Sequence, residues 1–145
     1  MLVTIKEIRQ KIIDWKNDKI TKKEIQEWGD NIRGDADLSN EEHFIGIEVI
    51  SYLEFININL TKKEDIPYVL EYIDTAKRHG EKFENYSIED EAYKKWDSYR
   101  KNINYRKRAE ELKEDPFYTE YCLGVLKSYK KSLLKTKKKY KTYAI

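Results

Sequence analysis

Turn residues are scarce in this chain: five glycines and two prolines among 145 residues. A strand-rich fold needs many tight turns, which Gly and Pro supply, so their scarcity favours helices. Cysteine occurs once, at Cys122, which excludes an internal disulfide framework and fits a reducing compartment. No apolar run approaches the roughly 18–20 residues of a membrane helix. The opening Met1-Leu2-Val3-Thr4-Ile5-Lys6-Glu7 places charges where a signal peptide is apolar. The expectation is a cytoplasmic protein without membrane contact.

Catalytic patterns are missing as well. His43 and His79 are the only histidines, and neither shares a metal-ligand spacing with Cys122 or a carboxylate. His79 follows Lys77 and Arg78, where cations satisfy helix-terminal carbonyls. Asp35-Ala36-Asp37-Leu38-Ser39 opens like a calcium loop, but Asn40 stands where Gly is needed and Gly46 where the bidentate Glu belongs. There is no phosphate-cradling Gly-rich loop and no Gly-flanked Ser nucleophile. Arg33 to His43 is too long, and Arg78 to His79 too short, for the Arg–His spacing of helical ribonucleases. A carboxylate pair drawn from Glu41, Glu42 and Glu48 would need unequal environments to divide acid from base work. The expectation is a non-enzyme that holds no metal and no cofactor.

What is abundant is charge, 39% of residues, together with 13% aromatics. Disordered charged chains are poor in aromatics, so this pairing indicates a folded domain. Helix starts recur as capping boxes, in which a Ser or Thr caps and a Glu three places on reaches back. Thr4/Glu7, Thr21/Glu24, Ser39/Glu42 and Thr61/Glu64 fit, and Ser87/Asp90 is a weaker relative. Ile20 and Ile25 occupy staple positions around the second.

Between these starts the apolar spacing is helical. Ile5, Ile8, Ile12 and Trp15 mark a first helix over about 5–16, and Ile25, Trp28 and Ile32 a second over about 22–33, stopped by Gly34. Residues 61–65 read as a capped turn before a helix from about Ile66 to His79, because Pro67 would cost about 3 kcal/mol deep inside a helix. A fifth helix covers about 88–113, and Asp115-Pro116 resets the chain for a sixth. The segment of about 40–57 is apolar on nearly all sides, and Ile45–Val49 alternates like a strand. Its length and lack of turn residues favour a central helix buried around most of its circumference. The expected fold is all-α: one domain, 1–145, of about six helices, with a mostly buried third helix and a basic tail, 135–145, that frays. Ile20-Thr-Lys-Lys-Glu24 recurs as Leu60-Thr-Lys-Lys-Glu64, which reads as two independent caps or as a paired-helix repeat.

Charge is also sorted along the chain. Glu24–Asp74 holds thirteen acids and three bases (Arg33, Lys62 and Lys63), a balance of −10; after Leu126 come eight lysines and no acid. Glu27, Trp28, Asp30, Asp35, Asp37, Glu41 and Glu42 form the expected partner-binding surface around Gly34, against the alternative of a solvated face. Lys130, Lys131, Lys137, Lys138 and Lys139, interleaved with tyrosines, are the candidates for RNA or DNA contact. The alternative there is a helix whose lysines reach solvent beside a packed Leu126, Leu133 and Leu134 face.

Trp15-Lys-Asn-Asp-Lys-Ile-Thr-Lys-Lys-Glu-Ile-Gln-Glu-Trp28, continued by Asn59-Leu-Thr-Lys-Lys-Glu-Asp-Ile-Pro67, resembles a tract of small helical bacterial immunity proteins, including those of contact-dependent growth inhibition. The likeness covers about residues 12–75 and carries no binding residue across. It implies a non-enzymatic protein that neutralises a cognate toxin. An acidic face would suit a basic, nuclease-type partner and compete with nucleic acid for its cationic groove.

Overall fold

The computed structural model describes residues 3–33, 38, 42–78 and 90–143, with side chains through Thr136. Among them are seven α-helices, one short 3-10 turn and no strand. The chain divides into two compact units, residues 1–56 with 61–103, and residues 57–60 with 104–145.

The larger unit holds α1 (Ile5–Lys16), α2 (Lys22–Ile32), α3 (His43–Glu54), a 3-10 turn (Lys63–Asp65), α4 (Ile66–Thr75) and α5 (Glu91–Lys101). α1 packs against α2, α3 and α4; α2 packs on α3, and α4 on α5. Ile5, Ile8, Ile12 and Trp15 are buried along one side of α1, as their spacing predicts. α3 buries Ile45, Val49, Ile50, Tyr52 and Leu53 and leaves His43, Ile47 and Ser51 exposed, so it is a helix with one narrow wet edge. Gly29, not Trp28, occupies the tight place where α2 meets α3. A Cβ there would stand 3.2 Å from Leu53 Cβ and 3.3 Å from the Glu54 amide nitrogen. Trp96 of α5 is almost fully buried, edge-on to Tyr52 at 5.0 Å and beneath the Arg100 guanidinium at 4.7 Å.

The smaller unit pairs α6 (Tyr105–Leu112) with α7 (Thr119–Tyr143). Leu60, Ala109, Tyr118 and Cys122 are buried in it, and buried Arg108 donates from Nη1 to the Leu60 carbonyl.

Four expectations are corrected. The 88–113 segment is two helices, because Asn102 ends α5 and the Asn104 side chain accepts the Lys107 amide to start α6. Pro116 does not open the last helix; it lies in a turn, and α7 begins at Thr119, whose hydroxyl donates to the carbonyls of Lys113 and Asp115. Among the described residues Thr21/Glu24 closes in both directions, and at Thr4/Glu7 the Glu7 amide donates to the Thr4 hydroxyl. At the Thr61 box Asp65 replaces Glu64 and accepts the Lys62 amide at 2.9 Å, because the turn before Pro67 is 3-10. Asp90 is itself the cap of α5, accepting the Ala92 amide, and α3 starts at His43 with no side-chain cap. Ser39, Ser87 and His79 lie outside the described residues. Arg78 performs the carbonyl-capping role expected near His79, donating to Ile73 and Ala76. The helix of the basic tail continues to Tyr143. The echoed Thr-Lys-Lys-Glu stretches do different work, an exposed cap at Thr21 and a buried residue at Thr61.

Candidate binding surfaces

The acidic segment is largely neutralised within its own unit. Asp74 forms a two-bond pair with Arg9 at 2.8 and 2.9 Å, which holds its carboxyl below the ordinary range. Glu48 meets Arg100 at 3.0 Å, Glu71 meets Lys95 at 2.6 Å, and Glu64 lies 3.8 Å from Lys62. Asp65 accepts the Tyr99 hydroxyl. Glu54 is buried, with Arg33 3.3 Å from an Oε2 that accepts no hydrogen bond.

Glu24, Glu27, Asp30 and Glu42 are the exceptions: no cation among the described residues pairs with them, and Glu24 only accepts the Thr21 amide of its cap. Glu27 and Asp30 are exposed one turn apart on α2, and Glu42 stands half-buried at the start of α3. Trp28 is half-buried on α2, with Lys11 Nζ 5.6 Å from its ring centre. Asp35, Asp37 and Glu41 lie outside the described residues. α2 therefore brings together three of the seven expected partner-binding residues.

The basic surface is less neutralised. Lys127, Lys130, Lys131 and Lys135 are exposed on α7 without a hydrogen bond or ion pair among the described residues. Lys137, Lys138 and Lys139 belong to the same helix, beyond the described side chains. Tyr129 is half-buried, with the Arg106 guanidinium 4.3 Å from its ring centre, so that ring face is already covered.

The apolar face of α7 does not stay packed. Tyr118 and Cys122 are buried, Val125 and Leu126 are half-buried, and Leu133 and Leu134 are exposed. Between α6 and α7 runs a groove of about 570 Å³, lined on one side by Arg106 and Glu110 of α6 and by Lys113, which caps its C-terminus. The Lys113 ammonium donates to Glu110 at 2.8 Å, lowering the carboxyl's pKa and raising its own. Sequence reading missed these α6 residues because the Asn102–Asn104 break was read through. Once the break is placed, their i, i+4, i+7 spacing is legible as one helix face.

Among the described residues no three His, Cys, Asp or Glu side chains come together to hold a metal, and no helix is long and apolar enough to cross a membrane. Comparison with known proteins finds no family model, no curated protein and no solved structure that matches this chain.

Proposed function

We propose that this chain is a non-enzymatic inhibitor of the immunity type that captures a basic protein toxin through the acidic face of α2. The observation that supports this reading is selective: most other described acids of the segment are held by neighbours or, like Glu24, tied into a helix cap, whereas Glu27 and Asp30 face solvent uncompensated beside Trp28. Uncompensated charge beside a half-buried aromatic is the combination that steers encounter and then anchors it. The test begins with affinity isolation of the partner at low salt, followed by association kinetics with the purified pair. Charge reversal of Glu27 and Asp30 should slow association several-fold at about 50 mM salt, and less at about 300 mM where screening is short-ranged. Trp28→Ala should instead speed dissociation. On-rates unchanged by the reversals at low salt would remove the α2 assignment.

A second reading, nucleic-acid binding by α7, draws on its four exposed, unpaired lysines. It requires retention on heparin or RNA at about 50 mM salt that falls steeply as salt rises. Absence of retention there would end it.

A further inference from the structure

The groove between α6 and α7 combines three features that do not come from folding the smaller unit. Its apolar side chains face solvent: Leu123 is 57% exposed and Leu133 43%. A helix that is merely solvated would carry polar residues there, and exposed leucines that cluster usually mark contact sites. Its rim is basic, with Arg106 from α6, Lys113 at the C-cap of α6, and Lys127 and Lys130 from α7, against one carboxylate, Glu110, already held by Lys113. Its shape is concave, with half-buried Leu126 recessed beside the more exposed Leu123.

These features select among occupants. A lipid surface would meet Leu123 but would not fill a trough between two helices, since interfacial helices insert a convex apolar face. A nucleic acid would set phosphates against leucines, and the Tyr129 face on which a base would stack is covered by Arg106. A convex apolar ridge with acidic flanks fits all three features. The ten helical steps from Leu123 to Leu133 span about 15 Å, nearly three turns, which suits apolar anchors at i, i+3 or i+4, and i+7. We infer that this groove binds an acidic amphipathic helix of a partner protein, at a site separate from the acidic face of α2.

The experiment uses the full chain and a defined probe: a fluorescent, end-capped peptide of about 18 residues with leucines at helical spacing and glutamates flanking them. Fluorescence anisotropy should show binding that is lost when the leucines are scrambled and when the glutamates become lysines. Lys127→Glu with Lys130→Glu should weaken it about tenfold or more, and Leu133→Ser several-fold. All three positions are exposed, so helicity by circular dichroism should remain at the wild-type level. Glu27→Lys with Asp30→Lys should leave peptide affinity unchanged, which separates this site from the proposed toxin surface. Equal binding of the scrambled peptide would reduce the groove to a charge patch and overturn the inference. So would tight binding of RNA or anionic phosphatidylglycerol vesicles with no binding of the peptide. A dimer in sedimentation equilibrium that Leu133→Ser dissolves would also overturn it, by making a second copy the occupant.

Discussion

Removing Arg33 should destabilise this protein only while Glu54 is present. The Glu54 side chain is 3% exposed and that of Arg33 is 64% exposed, with 3.3 Å between Nη1 and Oε2. At an effective dielectric of about 20, the gross attraction at that distance is about 5 kcal/mol. Burying the carboxylate costs several kcal/mol on its own, so gain and cost nearly cancel. The net effect is smaller still because the exposed guanidinium is screened by water. Arg33→Ala removes the attraction and leaves the desolvation, a loss of about 1–2 kcal/mol. Glu54→Leu removes both and keeps an apolar side chain beside Leu53, so it should be neutral or stabilising by about 1 kcal/mol. In the Glu54→Leu background, Arg33→Ala should cost no more than about 0.5 kcal/mol, as other exposed changes do. Urea unfolding of the four proteins reads the cycle, with a coupling of about 1 kcal/mol as the expected result. Equal costs of Arg33→Ala in the two backgrounds would refute the reasoning. So would a loss above about 2 kcal/mol from Glu54→Leu, which would mean that the carboxylate supports the fold through other contacts.

At Gly29 a methyl group gains about 1 kcal/mol of helix propensity but meets the Glu54 amide nitrogen, which cannot swing aside, at 3.3 Å. Overpacking costs about 1–3 kcal/mol, so Gly29→Ala should lower the unfolding midpoint, and an unchanged midpoint would show that α2 and α3 separate freely. The Asp74 carboxyl is held low by the hydrogen bonds from Arg9, so its contribution is present above the unfolded pKa and fades as pH falls through the folded one. Stability differences between wild type and Asp74→Asn, measured by urea unfolding, should therefore shrink from pH 7 toward pH 3. Burial raises the Cys122 thiol pKa, so its contribution is lost as pH rises above the ordinary thiol range. Native protein should react with a thiol reagent slowly and unfolded protein quickly; fast native labelling would contradict the burial of Cys122.

The parts of the fold that could be read from sequence are those fixed by local physics. Ile5, Ile8, Ile12 and Trp15 share one face of α1 because their spacing leaves no other arrangement. Pro67 fixed the start of α4 at Ile66, since proline is tolerated only in a first turn. The parts that could not be read depend on contacts distant in sequence. Nothing near Glu54 announces that Arg33 and the α2 backbone will cover it. Leu60 and Asp18 adopt positive φ, 52° and 60°, at places where Gly or Asn would have given a signal. Asn102 and Asn104 did give one, but the helical spacing of Trp96, Tyr99 and Ile103 masked it.

Pairing in space changes what the linear charge map implies. The −10 segment recruits Arg9, Lys95 and Arg100 from outside itself, and Asp18 from the preceding segment pairs with Lys63. What faces solvent on α2 without a cation among the described residues is three carboxylates, Glu24, Glu27 and Asp30, so steering toward the proposed basic toxin belongs near the lower end of the roughly ten- to thousandfold range. Under the proposed α2 reading, charge alone then does not supply tight capture, and Trp28 is the residue on which a durable complex would depend. The smaller unit is the reverse case. It holds twelve basic and five acidic residues, and four lysines of α7 are exposed and unpaired. Its leucines supply the apolar anchor that a lysine surface by itself lacks. Opposite signs on the two surfaces mean opposite salt-dependent preferences, so one partner is not expected to serve both. Competition between a basic ligand for α2 and an acidic peptide for the groove would be the mark of a shared site, and additive binding the mark of two.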